Sequence, residues 1–275
     1  MAELLSYENR TVVVTGCASG VGMHAARLLK ESGARVIGLD RKRAENVDEF
    51  VELDLSDPGS IERAAARISE FDCLFNIAGI SSGGGDPATV VSVNFLGTRM
   101  LTERLVGRIG RGGAVASVAS ISGFRYLENL GTSRQLVATP DFESGLRWCK
   151  DNPTLLTGGG YQLSKEAIIV FTLQRALVYG AQSIRFNCIG PGVIETPFLA
   201  DTIKSKGTAA LDTIPKPLGR ISHPSEQASA LVFLNSRAAS YVNGHVLWVD
   251  GGFVGGVAMG MIPERLVANA RPDSA

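Results

Sequence analysis

"TGCASGVGMHAA", residues 15–26, sets Gly16, Gly20 and Gly22 immediately ahead of a helix-forming run. The stretch before it, "TVVVT" (11–15), is short, β-branched and apolar throughout, the pattern of a strand buried on both faces. Strand, glycines and helix in that order form a turn whose backbone can be approached closely. The unpaired N–H groups and partial positive charge at the helix start then offer a seat for a phosphate group. A tight turn with no ligand would show the same glycines, so the reading depends on what the rest of the chain does.

The alternation continues nearly to the end. Strands are expected at "RVIGLD" (35–40), "FVELD" (50–54), "DCLFNIAG" (72–79), "GGAVASVAS" (112–120), "SIRFNCIG" (183–190) and "HVLWVD" (245–250). Between them the spacing predicts helices ending at about Ser32 and Phe71, and others over 87–108, 160–179 and 224–236. Apolar strands separated by helices imply an α/β fold, a doubly wound parallel sheet with helices on both faces. No repeat or linker divides the chain, so residues 1–275 read as one domain. Two stretches break the rhythm: an extended segment at 124–158, longer than an ordinary strand-to-helix loop, and a tail at 251–275.

Bulk properties remove several classes of function. The 27 Lys and Arg equal the 27 Asp and Glu, so no net field draws the chain to nucleic acid or an anionic membrane. Cys17, Cys73, Cys149 and Cys188 have no paired spacing and read as small buried apolar residues in a reducing compartment. His24, His223 and His245 lack ligand spacing, so no metal site is expected. The start, "MAELLSYENR", does not read as a signal peptide, and no apolar run suffices to span a membrane. A cytoplasmic protein is the expectation.

Asp40 ends the second strand, about twenty residues beyond the glycines, where a carboxylate can accept hydrogen bonds from ribose hydroxyls and repel a 2′-phosphate. Arg41, next to it, acts in the opposite sense. From here the chain resembles the short-chain dehydrogenases/reductases, whose turn is TGxxxGxG. "LDLSD" (53–57), "NIAG" (76–79), "VNFLGT" (93–98), "VASVASISG" (115–123), "YQLSK" (161–165), "PGVIETP" (191–197) and "VDGG" (249–252) are similar to that family's later landmarks, in its order. Ile77 departs from the family pattern, which has Asn there. The resemblance implies a Rossmann fold and NAD as cofactor. It places Gly16, Ser19, Gly20, Val21, Gly22, Asp40, Asp54, Leu55, Asn76, Ala78, Gly79, Pro191, Gly192, Ile194 and Thr196 around the dinucleotide, with Tyr161 and Lys165. It also implies the catalytic set Asn94, Ser120, Tyr161 and Lys165, with Asn94 holding a water that links Lys165 to solvent. Setting Gly123 on the family's glycine selects Ser120 over Ser117 and Ser122.

The chemistry of these side chains agrees. Tyr161 and Lys165, four apart on a helix, share one face. A nearby ammonium is expected to lower the phenol's pKa from about 10, fitting it to exchange a proton with an alcohol. A serine hydroxyl adds a second donor to the substrate oxygen. The implied reaction interconverts a secondary alcohol and a ketone, in a branch similar to hydroxysteroid dehydrogenase/carbonyl reductase. An epimerase or dehydratase, or a dinucleotide-binding regulator without turnover, remain the alternatives. Phe124, Tyr126, Trp148, Phe198 and Met259, with Met261 and Ile262, are expected to wall an apolar substrate site. A homodimer or homotetramer is expected to form through helices 87–108 and 161–179.

Overall fold

The computed structural model describes residues 2–196, 199, 203 and 213–263. Its sheet has seven parallel strands: β1 (Thr11–Thr15), β2 (Arg35–Asp40), β3 (Glu49–Glu52), β4 (Phe71–Asn76), β5 (Ile109–Val118), β6 (Arg185–Pro191) and β7 (Val246–Val249). Their spatial order is β3-β2-β1-β4-β5-β6-β7. The winding therefore reverses between β1 and β4, and a crevice opens there at the carboxyl ends of the strands.

The unbroken apolar run of β1 is explained by the two cores it feeds. Val13 belongs to one, with Ile37, Leu39, Leu74 and Val115. Val12 and Val14 face the other, with Val36, Cys73, Phe75 and Ala116. Neither face meets water, so polar alternation would have no place. All four cysteines are free and buried, as expected.

Among the described residues the bounded α-helices are, in chain order, α1 (Ala2–Leu5), α2 (Gly20–Glu31), α3 (Pro58–Ala66), α4 (Pro87–Val91), α5 (Thr98–Leu105), α6 (Leu130–Val137), α7 (Phe142–Asp151), α8 (Tyr161–Tyr179), α9 (Pro224–Asn235) and α10 (Phe253–Ala258). The start of α3 follows from "SDPGS": Asp57 caps it by accepting from the Gly59 N–H at 2.8 Å, and Pro58 fills its first position. The expected helix over 87–108 is continuous but changes pitch, because residues Ser92–Gly97 form a wider π-type turn between α4 and α5.

Two expectations are corrected. The third strand stops at Glu52, not 54, so Leu53, Asp54 and Leu55 leave the sheet and reach the crevice. The segment at 124–158 is not one loop, because it holds α6 and α7. Arg99 of α5, which is 2% exposed, binds their connection from beneath. Its guanidinium donates to the carbonyls of Val137 (3.3 Å), Thr139 (2.8 Å) and Asp141 (2.8 Å), and lies 5.6 Å from the Phe95 ring centroid. No helix among the described residues is long and apolar enough to cross a membrane.

Candidate active site

A cleft of about 1950 Å³ follows the carboxyl ends of the strands. Its floor at one end is the glycine turn. Gly16 has φ +72°, and a Cβ there would lie 3.0 Å from the Ala78 backbone, so only glycine fits. Gly22 serves a different need: its Cβ would fall 2.0 Å from the Gly16 carbonyl oxygen. The third glycine thus makes room for the turn itself. Ser19 is exposed and makes no capping hydrogen bond, which leaves the first turn of α2 open to the cleft. Val21 and Gly20 complete that wall.

Asp40 stands at the end of β2. Its carboxylate accepts from the Ala18 N–H (3.0 Å) and the Lys42 N–H (2.9 Å), which fixes it at the cleft edge beside Arg41. Asp54 accepts from the Ser56 N–H (2.8 Å) and hydroxyl (2.6 Å). Burial alone would raise its pKa, but the Ser56 hydrogen bonds and nearby Arg41 bring it below the ordinary carboxylate value. Leu55, Ala78, Gly79, Pro191, Gly192, Ile194 and Thr196 also line the cleft. An open helix start, a side-chain-free turn and a fixed carboxylate suit the diphosphate and ribose of a dinucleotide.

Asn76 is placed differently. It is buried, and its amide donates to Thr102 Oγ1 (2.9 Å) and Ser117 Oγ (3.4 Å), tying β4 to α5 and β5 and not facing the cleft. Thr15, absent from the sequence-derived set, does more for the turn. Its hydroxyl accepts from the N–H groups of Ile77 (2.9 Å) and Ala78 (3.0 Å), holding the β4 exit against the glycine turn. The threonine in "VTG" was a visible but unspecific signal.

Midway along the cleft, Ser120, Tyr161 and Lys165 come together. Ser120 follows β5 and accepts from the Ser122 N–H at 3.1 Å, and its side chain hydrogen-bonds Tyr161. Ser117 points to Asn76 instead, so the choice among the serines is resolved by which hydroxyl meets the tyrosine. Lys165 Nζ donates to the Val118 carbonyl at 3.0 Å and lies 5.5 Å from the Tyr161 ring centroid. A Cβ on Gly79 would lie 3.0 Å from Asn94 Oδ1 and 3.6 Å from Lys165 Nζ, so that glycine permits their approach.

The electrostatics correct one expectation. Burial pushes Tyr161 up to about 12, against the pull of its Ser120 hydrogen bond. Burial also pushes Lys165 down to about 8. The ammonium does not overcome the phenol's own desolvation, and in the protein alone Tyr161 is a proton donor. Asn94 sits in the π-type turn. Its Oδ1 accepts from the Ile80 N–H (2.8 Å), and its Nδ2 donates to the Ile80 carbonyl (3.0 Å) and Ser164 Oγ (3.3 Å). It fastens the residue-80 loop to α8 beside the lysine.

The substrate end departs most from expectation. Phe124 lines the cleft and packs edge-on against Phe253, with centroids 6.4 Å apart. Tyr126, in the turn before α6, and Trp148, on α7, are absent from the cleft wall and pack against the core. Met259 and Met261 are 73% and 82% exposed and, like Ile262, lie outside the cleft. Phe198 lies outside the described residues. Ile80, Val93, Ile214 and Phe253 supply apolar wall in their place, while Arg125, Glu128, Asn129 and Gln162 supply a polar one. Nothing in the periodicity marked these residues, since folding brings them together from at least five separate segments. Among the described residues no cluster of three or more His, Cys, Asp or Glu could hold a metal.

A family model described as the NAD dependent epimerase/dehydratase family matches residues 12–195. Another, described as Enoyl-(Acyl carrier protein) reductase, matches residues 155–254. The chain is 36% identical over 247 residues to a coniferyl-alcohol dehydrogenase from Pseudomonas sp. strain HR199, covering 89% of this chain and 96% of that protein. It is 31% identical over 250 residues to the 3-alpha-hydroxysteroid dehydrogenase/carbonyl reductase of Comamonas testosteroni, covering 88% and 95%. The solved 3-alpha-hydroxysteroid dehydrogenase from Pseudomonas sp. B-0831, complexed with NADH, is similar at a TM-score of 0.78 and 31% identity, covering 90% of this chain and 98% of that one. At such identity across nearly the whole of both chains, the protein belongs to the short-chain dehydrogenase/reductase family of oxidoreductases.

Proposed function

We propose that the protein is an NAD-dependent alcohol dehydrogenase, reversibly a ketone reductase, acting on a secondary alcohol carried by a cyclic, terpenoid or steroid-like frame. The observation that carries this reading is the meeting of Ser120 with Tyr161 in a cleft that also contains the open start of α2. NAD, when bound, supplies the hydride acceptor. Tyr161 exchanges the proton of the alcohol oxygen, and Ser120 donates to that same oxygen. Lys165, which remains mostly protonated at neutral pH, holds positive charge near the phenol. Asp40 supports NAD over NADP, because its carboxylate would face a 2′-phosphate. The relative acting on coniferyl alcohol extends the reading to aromatic and primary alcohols.

The test is kcat/KM with NAD and NADP over a panel of aliphatic, cyclic, aromatic and steroidal alcohols. NAD-dependent turnover favouring the cyclic and aromatic members is expected. Equal or better use of NADP would overturn the cofactor assignment, and preference for a charged hydroxy acid would overturn the substrate class.

A further inference from the structure

We propose that Gln162 selects for alcohols that carry a second, neutral hydroxyl group, and that Glu166 is the positioning residue that aims it. The inference rests on the alcohol dehydrogenase reading above. Glu166 is fully buried, one helical turn beyond Gln162 on α8. Its Oε1 accepts from Gln162 Nε2 at 2.9 Å and from Asn129 Nδ2 at 2.9 Å. Gln162 and Asn129 both line the cleft, and Gln162 follows Tyr161 directly in the chain.

The chemistry of that contact determines what the cleft presents. Glu166 Oε1 accepts from Gln162 Nε2, so the amide nitrogen of Gln162 is committed to Glu166. Its carbonyl oxygen is then left at the other end of the amide group, and Gln162 lines the open cleft. An amide without such an anchor could present either end. Gln162 Oε1 accepts no hydrogen bond among the described residues, so a substrate donor meets no competitor there. The acceptor is neutral, so it takes an O–H group and offers no positive charge to hold a carboxylate or phosphate. Ile80, Val93, Phe124 and Phe253 line the same cleft and suit the hydrocarbon frame. The preferred ligand is therefore a cyclic or aromatic diol or hydroxylated alcohol, in which one hydroxyl reacts at Tyr161 and the other binds Gln162.

The test compares matched alcohols with and without the second hydroxyl: cyclohexanol against the 1,3- and 1,4-cyclohexanediols, and benzyl alcohol against 4-hydroxybenzyl alcohol. With the natural chain at least one hydroxylated member should exceed its partner about tenfold in kcat/KM, one net hydrogen bond's worth. In Gln162→Leu that ratio should fall toward one. In Glu166→Gln it should fall through a higher KM for the hydroxylated member, because the amide is no longer anchored. The ratio is taken within each variant, so partial loss of folded enzyme cancels, and a residue serving structure alone would leave it unchanged. Calorimetric binding of the same pairs to the NAD-loaded protein reads recognition independently of turnover. A binding preference lost in Gln162→Leu, with no turnover of any alcohol, would sink the dehydrogenase reading and uphold this one. No preference in the natural chain, or a preference surviving both substitutions, overturns the role given to Gln162 and Glu166.

Discussion

Tyr161 and Lys165 share one helix face, and burial moves them in opposite directions, one up to about 12 and the other down to about 8. Tyr161→Phe removes only the phenolic oxygen, so we expect kcat to fall by about 10²–10⁴ while cofactor binding persists. Ser120→Ala should cost roughly 10²–10³, as for a lost donor to a reacting oxygen. Ser117→Ala should be mild, because that hydroxyl serves Asn76. Single-turnover kinetics checks the set, and a larger loss from Ser117→Ala would reverse the assignment. Lys165 also carries a stability cost. Its fall from 10.5 to about 8 corresponds to roughly 3 kcal/mol paid by the folded state wherever the amine is charged. The unfolded chain holds the proton more tightly, so stability rises as pH goes from about 8 toward 10.5. Lys165→Met removes that cost but orphans the Val118 carbonyl, at about 1–2 kcal/mol. We expect an inactive variant about 1–2 kcal/mol more stable at pH 7, an advantage that vanishes between about pH 9 and 10 and reverses at higher pH. Urea denaturation across pH measures this, and a variant less stable at pH 7 would contradict it.

At the scale of elements, the wider turn at Ser92–Gly97 and the α6–α7 pair are what periodicity missed. A π-type turn shifts one residue without changing the apolar pattern, so the run 87–108 still reads as plain helix. The α6–α7 pair is held by long-range contacts, with Arg99 as its anchor. That side chain's carbonyl partners lie 38 to 42 residues away, beyond the reach of any local pattern. Arg99→Met should leave those carbonyls unpaired and cost about 3 kcal/mol. Arg99→Lys should recover little, since a single ammonium cannot span the same acceptors. Hydrogen exchange should rise in residues 130–151 before it rises in the sheet. A uniform rise throughout the chain would mean that Arg99 does not hold this pair in particular.

For the whole molecule, the cleft draws on β2, β5 and β6 and on the segments that follow β1, β3 and β4, so a ligand bound across it stabilises the fold as a unit. NAD at a hundred times its Kd should add about 2.7 kcal/mol, or roughly 5–10 °C in Tm for a chain of this size. NADP at the same concentration should give less if, as we propose, the Asp40 carboxylate opposes the added phosphate. A thermal melt with each dinucleotide checks this, and an equal shift would remove Asp40 as a discriminator. Assembly is the second matter at this scale. A homo-oligomer remains our proposal, with light scattering expected to show at least a dimer. α6 packs along part of α8, while Leu177 and Val178 at the carboxyl end of α8 are exposed, so that end is the part of the expected contact left open to a second copy.

The sequence by itself determined the alternating strands and helices, the glycine turn with Asp40, and the Tyr161–Lys165 pair. Each of these is local: β-branched runs, caps, left-handed glycines and i,i+4 spacing act over a few residues and leave a readable trace. Tertiary structure decided which serine meets the tyrosine, which way Asn76 turns, and which residues wall the substrate end. It also decided the direction of the Tyr161 pKa, since desolvation depends on how much of the chain surrounds the phenol and not on its neighbour four residues away. Trp148 shows the difference most plainly. Aromatic character is written in the sequence, but whether a ring enters a cleft or a core depends on the orientation of its helix, and Arg99, 49 positions earlier, helps to hold that orientation.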